Sequence, residues 1–95
     1  MDDIIREIIK EEQYGVSFEV IGPKICMHIR RTDEHNTLIC RVDYAGYNRA
    51  RIRLEPRQEL NNQLALYLLN TTRRLREPNP ATFHEAFADL EELTQ

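Results

Sequence analysis

The spacing of apolar residues along the chain changes from a helical to a strand period and back again. From Glu55 to Glu77, apolar side chains recur at steps of three and four residues, which is the period of an amphipathic helix. Pro56 suits the first turn of such a helix, and Pro78 follows its end. The pattern predicts a helix over residues 56–76. Its buried stripe would be formed by Leu60, Leu64, Tyr67, Leu68, Thr71 and Leu75.

Helical spacing also appears near both ends of the chain. Residues 2–13 predict a helix with Gly15 as its C-terminal cap. Its buried side would be formed by Ile4, Ile5, Ile8 and Ile9. Residues 80–93 predict a third helix, with one apolar side formed by Phe83, Ala86, Phe87, Leu90 and Leu93. Either Asn79-Pro80 or a capping box of Thr82 and Glu85 could start this helix.

Between the first two helices the apolar period falls to two, which is typical of half-buried strands. The alternation predicts strands over residues 16–21, 24–31, 37–44 and 49–54, separated by short turns. Turns of the expected lengths give a register that keeps the apolar residues of all four strands on one face, and a one-residue slip of any strand would expose them. That register pairs Phe18 with Met27, Val20 with Ile25, Met27 with Val42, Ile29 with Cys40, Val42 with Ile52 and Tyr44 with Ala50.

These elements predict the fold class. The expected fold is α+β, with a four-stranded antiparallel meander in the order α-β-β-β-β-α-α and the first two helices on the apolar sheet face. The 95 residues predict a single domain, 1–95. Because many unrelated proteins place helices on one side of such a sheet, this architecture does not indicate a function.

The same register collects arginines on the other face of the sheet. Ser17, His28, Arg41 and Arg53 form one row across the strands, and Asp43 faces Arg51 in the next row, beside Cys26. Asp43 and Arg51 are expected to form an ordinary ion pair, whereas Arg41 opposite Arg53 should be destabilising. The candidate residues for binding an anion or a partner are His28, Arg30, Arg41, Arg49, Arg51 and Arg53.

Several sources could compensate this concentration of positive charge. Helix 3, from the same or a second copy, could supply carboxylates from Glu85, Asp89 or Glu92. An external protein partner could supply them instead, and a nucleic acid or a nucleotide could supply phosphates. The arginine stems could also simply shield the sheet. The absence of aromatic residues from this face disfavours single-stranded nucleic acid, which usually stacks its bases on aromatic rings.

Two leucines of the long helix lie outside its buried stripe. Leu66 and Leu69 point well away from the stripe, and a helix that is apolar on two sides is usually packed on both. Either helix 3 or a second copy of the protein would cover them. A homodimer through Leu66 and Leu69 is expected, because association enlarges the small core of a short chain.

Composition limits the possible functions further. The net charge of −3 argues against a general nucleic-acid binder, and no apolar run reaches the length of a membrane span. Two cysteines are too few for a disulfide framework, which predicts a reducing, cytoplasmic location. Cys26 and Cys40 fall on opposite sheet faces, so both are expected to be free, one of them buried.

No motif in the sequence points to catalysis. Zinc-ligand spacings, a phosphate-binding loop and a dinucleotide-binding glycine pattern are all absent, so no metal or cofactor is expected. His35 and His84 are expected in solvated positions. The sequence therefore predicts a non-enzymatic binding or regulatory protein that acts through protein–protein contacts as a homodimer. The alternative is anion, nucleotide or nucleic-acid binding through the arginine-rich sheet face.

Overall fold

The computed structural model describes residues 3–93 and shows an α+β fold. An N-terminal helix precedes a four-stranded antiparallel meander, and C-terminal helices follow it. The elements are α1 (Asp3–Glu11), β1 (Tyr14–Ile21), β2 (Lys24–Arg31), β3 (Leu38–Tyr44), β4 (Ala50–Leu54), α2 (Asn62–Arg74), α3 (Pro80–Ala86) and α4 (Ala88–Leu93).

The strand order β1-β2-β3-β4 and all six predicted apolar pairs are confirmed. The turns explain why this register is stable. Gly22 has a φ of +59°, which glycine adopts without strain in the two-residue turn between β1 and β2. In the next turn, the Asp33 carboxylate accepts hydrogen bonds from the backbone N–H groups of His35 and Asn36, at 3.1 and 2.9 Å.

A bulge in β3 changes one detail of the predicted alternation. The register shifts after the Ile29–Cys40 pair, so that Arg30 pairs with Leu38 and Ile39 is the extra residue. The alternation of Leu38, Cys40, Val42 and Tyr44 with Ile39, Arg41 and Asp43 predicts that Leu38 faces the core and Ile39 faces outward, but Ile39 is fully buried in the core and Leu38 is only partly buried. The prediction for these two residues was wrong, because strict alternation cannot anticipate an inserted residue.

Helix α1 is shorter than the sequence pattern predicted. It ends at Glu11, and Gln13 takes a left-handed conformation with φ of +57°, so Gln13 rather than Gly15 ends the helix and β1 begins at Tyr14. Ile5, Ile8 and Ile9 are buried as expected. Ile4 is 52% exposed, so its placement with them was wrong. Residue 2 lies outside the described residues.

The long helix begins six residues later than predicted, at Asn62 rather than at residue 56. A turn closes between Glu55 and Gln58, and Arg57 in that turn has a φ of +67°, which no right-handed helix accommodates. Asn61 then caps α2, because its side-chain oxygen accepts from the N–H groups of Gln63 and Leu64. An asparagine directly before an apolar run is a helix-start signal, and Asn61 supplies it in the sequence, although the prediction used Pro56 instead.

The buried stripe of α2 includes a threonine other than the one predicted. Leu64 and Leu68 are fully buried, and Leu60, Tyr67 and Leu75 pack partly against the core. Thr72, not Thr71, is the buried threonine, and its hydroxyl donates to the Leu68 carbonyl at 2.6 Å. That bond satisfies the hydroxyl and explains why a polar side chain is tolerated there.

The predicted third helix is two short helices that meet at Phe87. Asn79 caps α3 by accepting from Ala81 N–H at 2.9 Å, and Pro80 occupies the first turn, so the Asn79-Pro80 start is the one used. Phe87 has φ −114° and ψ 12°, which ends α3 before α4 begins. The predicted apolar side is nevertheless confirmed, since Phe83, Phe87 and Leu90 are fully buried and Ala86 and Leu93 pack against them.

All four helices contribute to one core on one face of the sheet. Phe83 stacks on Tyr44 with ring centroids 5.1 Å apart, and Phe87 and Phe18 pack against Phe83 at 5.0 and 6.2 Å. The Tyr44 hydroxyl donates to the Glu77 carbonyl at 2.9 Å, which satisfies the polar end of a buried ring. The opposite sheet face therefore carries no helix within residues 3–93.

Candidate functional site: the outer face of the sheet

The predicted rows of polar residues on the outer face are confirmed. Ser17 pairs with His28, His28 with Arg41, and Arg41 with Arg53. The next row places Glu19, Cys26, Asp43 and Arg51 side by side on the same four strands. The candidate residues from β2, β3 and β4 thus meet on one continuous surface, which we call the arginine face.

The arginine face is strongly positive. Its basic side chains outnumber its acidic ones by six to two, and the acids are Glu19 and Asp43. The six bases are Lys24, Arg30, Arg41, Arg49, Arg51 and Arg53. Arg49, Arg51 and Arg53 are exposed, whereas Arg30, Arg41 and His28 are half-buried. A chain with net charge −3 thus concentrates positive charge on one surface, which favours a negatively charged partner there.

The C-terminal helices do not neutralise this face within one copy of the protein. α3 and α4 bury Phe83, Phe87 and Leu90 against the other side of the sheet. The possibility that Glu85, Asp89 or Glu92 covers the arginines from the same chain is therefore wrong. Compensation from a second copy or from another molecule remains open.

Arg41 is the least satisfied residue of the face. It lies directly opposite Arg53, and its Nε is buried without a hydrogen-bond partner. Within residues 3–93, no carboxylate forms an ion pair with either arginine. A buried donor without a partner is unfavourable by roughly 1–3 kcal/mol. Because Arg41 as a whole is only half-buried, an incoming oxygen acceptor would approach its other guanidinium N–H groups rather than the buried Nε, and would gain a charge-assisted bond there.

Asp43 does not compensate Arg51 as predicted. The two residues face each other in the register, but no ion pair joins them in the described part of the chain. The Asp43 carboxylate lies beside the Cys26 thiol, its neighbour on β2, and helps to raise the pKa of that thiol. The prediction of an ordinary cross-strand ion pair was wrong, because the exposed Arg51 side chain does not come within ion-pair distance of the Asp43 carboxylate.

Cys26 does not supply a reactive thiolate. It is only 3% exposed although it lies on the open face, and its Sγ is 3.6 Å from Nε2 of His28. Burial, and then the neighbouring Asp43 carboxylate, raise the pKa of this thiol to about 12. The thiol therefore stays protonated at neutral pH, which disfavours a nucleophilic role.

The two cysteines are both free, as predicted, and Cys40 lies in the core on the other sheet face. Both are buried, however, whereas only one was expected to be.

A shallow groove runs along the margin of the arginine face. It has a volume of about 350 Å³ and is lined on its charged side by Lys24, Asp43, Arg49, Arg51 and Arg53. Lys24 was not among the predicted residues, and it stands at the first position of β2. Its pairing with Ile21, on the same side of the sheet as Cys26, could have indicated it.

Leu66 and Leu69 are exposed, by 58% and 38%. The alternative in which helix 3 folds over them is wrong, since α3 and α4 pack elsewhere and the side chains remain open to solvent. Leu69 lines a second cavity, of about 320 Å³, between α2 and the β3–β4 hairpin. These leucines are therefore accessible to a second copy.

The remaining chemistry of the described residues is limited. His35 lies in the exposed β2–β3 turn beside Glu34, and His84 packs its ring against Phe18 and approaches Glu91 to 3.2 Å. Residues 3–93 contain no group of three or more histidine, cysteine or acidic residues placed to hold a metal ion. None of the helices in this range is long and apolar enough to cross a membrane.

Comparison with protein-family models, with curated proteins and with solved structures finds no match. The arginine face and the exposed leucines are therefore the features from which a function can be argued.

Proposed function

We propose that the protein is a non-enzymatic binding or regulatory protein and that its arginine face binds an acidic surface of a partner protein. The observation that carries this proposal is the pairing of Arg41 with Arg53 on a sheet face that no described helix covers. Like charges on facing positions are destabilising unless something compensates them. A partner carboxylate between the two guanidinium groups would provide that compensation and a bidentate partner.

A second copy is also proposed as a partner, at a different surface. The exposed Leu66 and Leu69 on α2 support a homodimer, because burying two leucines is favourable for so small a core. This contact lies on the helical side, so a dimer formed there leaves the arginine face available for another partner.

Nucleotide or nucleic-acid binding is the second candidate function for the arginine face. The groove lined by Lys24, Arg49, Arg51 and Arg53 favours it, because phosphate groups fit such a cluster. The face carries no aromatic residue for base stacking, and the rest of the molecule is acidic, which disfavours a long nucleic acid.

The test compares two double variants with the same net charge. Arg41→Gln with Arg53→Gln removes charge from the arginine face, whereas Arg6→Gln with Arg57→Gln removes it from exposed positions elsewhere. In pull-downs from the native organism, a specific partner should be retained by the wild type and the control, and lost by the first variant. Calorimetry with the purified partner should show a loss of about 1.5–3 kcal/mol for Arg41→Gln with Arg53→Gln.

Nucleic-acid binding would give a different result. Labelled oligonucleotides would then bind in an anisotropy titration at physiological salt, and the affinity would fall steeply as salt increases. Equal retention of the same proteins by both double variants would contradict a role for the arginine face.

A further inference from the structure

The edge strand β4 presents free backbone groups toward solvent. Ala45 N–H donates to the Arg49 carbonyl, and Glu55 N–H donates to the Ile39 carbonyl. Because hydrogen bonding alternates along an antiparallel pair, the odd-numbered residues of β4 point their backbone groups at β3. Ala50, Ile52 and Leu54 therefore direct their N–H and C=O groups to the open edge, where the described sheet has no further strand.

The two sides of this edge differ sharply in chemistry. On the outer side, Arg49, Arg51 and Arg53 project in a row without an acidic residue between them. On the inner side, β4 is incompletely covered by α2, and Leu54 is 51% exposed. The cavity of about 320 Å³ lies on this inner side, and its apolar lining comes from Tyr47, Ala50, Ile52 and Leu69.

We propose that β4 is a docking edge for an extended segment of a partner protein in which acidic and apolar residues alternate. Such a segment would add a fifth strand to the sheet through the backbone groups of Ala50, Ile52 and Leu54. Successive side chains of a strand point to opposite faces, so its acids would meet the arginine row and its apolar residues would enter the cavity. This inference rests on the proposed function and specifies the chemistry of its partner.

A second copy of this chain does not fit the same edge. An antiparallel pair of β4 strands centred on Ile52 would place Arg51 of each copy opposite Arg53 of the other, which is destabilising. The chain also lacks a suitable acidic segment. Its acids stand two residues apart only at Asp89 and Glu91, and both lie within α4. The occupant is therefore a segment of a different protein.

The first experiment uses an array of ten-residue peptides with Asp or Glu at alternate positions and varied apolar residues between them. A matched set has the same compositions but clusters the acids at one end. Alternating peptides should bind at least tenfold more tightly than clustered ones. Amide exchange on the protein should slow at Ala50, Ile52 and Leu54 when an alternating peptide is bound.

Proline substitution tests the backbone contact, and Ile52→Ala, which keeps the N–H but shortens the cavity-lining side chain, should lose much less affinity. Ile52→Pro removes an N–H that points away from β3, so the sheet keeps its own hydrogen bonds, and peptide affinity should fall about tenfold. The control is Val20→Pro on the opposite edge strand. The Ile21–Lys24 pair closes the β1–β2 hairpin, so Val20 directs its N–H outward in the same way. This control should retain full affinity.

A measurement on the unaltered protein guards against misfolding of either variant. Two versions of the best peptide are compared, one N-methylated at its odd-numbered residues and the other at its even-numbered residues. One version should lose binding, and the other should bind as before. Only one edge of an added strand faces β4, so a difference between the two methylated peptides separates strand addition from simple charge attraction.

The possible outcomes distinguish the two proposals. If alternating and clustered peptides bind equally, and Ile52→Pro has no effect while Arg41→Gln with Arg53→Gln abolishes binding, the docking edge is wrong and the proposed function stands. If no acidic peptide of either set binds, the docking edge is wrong, and the pull-downs with the two double variants decide the proposed function separately. A preference for alternating peptides that is lost in Ile52→Pro, with protection at the three amides, establishes the docking edge.

Discussion

At the scale of single residues, the most informative feature is a pair of like charges that the fold holds face to face. Arg41 and Arg53 occupy opposite positions on β3 and β4, and the described residues bring no carboxylate to them. The register was readable from the apolar alternation of the sequence. The absence of an ion pair between Asp43 and Arg51 could not be read from the sequence, because the spacing of residues does not determine which side chains come into contact.

Replacing Arg53 with glutamine should stabilise the isolated protein. Arg53→Gln removes the repulsion with Arg41, so the free energy of unfolding should rise by a few tenths of a kcal/mol up to about 1 kcal/mol. Urea denaturation at low ionic strength measures this change in the free energy of unfolding, and the increase should be smaller in high salt. Glu19→Gln, which removes an acid from the same face, should have the opposite sign. A destabilised Arg53→Gln would mean that the arginine has an internal partner.

The two buried thiols should make the protein sensitive to alkali. Burial raises the pKa of Cys26 from 9.0 to about 12 and that of Cys40 from 9.0 to about 11. The folded state thus holds these protons more tightly than the unfolded state. Their contribution to stability is complete below about pH 9 and is lost as the pH rises through about 11 to 12.

Denaturation curves at several pH values between 8 and 10.5 test this expectation. The free energy of unfolding should fall more steeply for the wild type than for Cys26→Ser combined with Cys40→Ala. The raised pKa values of Tyr44 and Tyr67 act in the same direction in both proteins, so the difference isolates the thiols. Parallel curves would show that the thiols titrate normally.

At the scale of elements, the periodicity of the sequence predicted the ends and the interruptions of helices and strands least well. The apolar period correctly gave the type and order of the elements, because burial on one face dictates it. It placed the start of α2 six residues early, since Pro56 also suits a helix start and nothing in the spacing reveals the left-handed Arg57. The bulge at Ile39 and the break at Phe87 likewise satisfy tertiary packing, which overrides a regular pattern.

The cap at Asn61 should be worth a measurable part of the stability. Its side chain accepts from Gln63 N–H at 2.9 Å, and its own N–H donates to the Tyr14 hydroxyl at 3.3 Å. Asn61→Ala should therefore lower the free energy of unfolding by about 1 kcal/mol. Thermal denaturation checks this, with Asn62→Ala at the next, exposed position as the control. A loss of the same size in both variants would argue against capping by Asn61.

At the scale of the whole molecule, the arginine face and the exposed leucines of α2 remain accessible after the core of residues 3–93 has formed. The candidate residues of the arginine face were identified from the sequence, because a confirmed register places them together. The sequence did not show whether these residues are accessible, since it left open whether helix 3 covers them. Packing of Phe83 and Phe87 against the inner face decided that question.

The proposed homodimer gives a prediction at this scale. Leu66→Glu with Leu69→Glu should yield a folded monomer, because both side chains are exposed and lie outside the core. Multi-angle light scattering would follow the change in mass, and circular dichroism would confirm the fold. Ser17→Glu with Ala81→Glu adds the same charge at exposed positions outside α2 and should leave the dimer intact. A wild-type protein that is already monomeric would rule out the homodimer.

Within residues 3–93 every helix lies on the same face of the sheet, and this placement has an evolutionary consequence. Side chains of the inner face are packed into the core with Tyr44, Phe83 and their neighbours, so most changes there destabilise the protein. The exposed arginines alternate with them along the same strands but contact little of that core. Selection can therefore alter what the outer face recognises one residue at a time, while the fold is inherited unchanged.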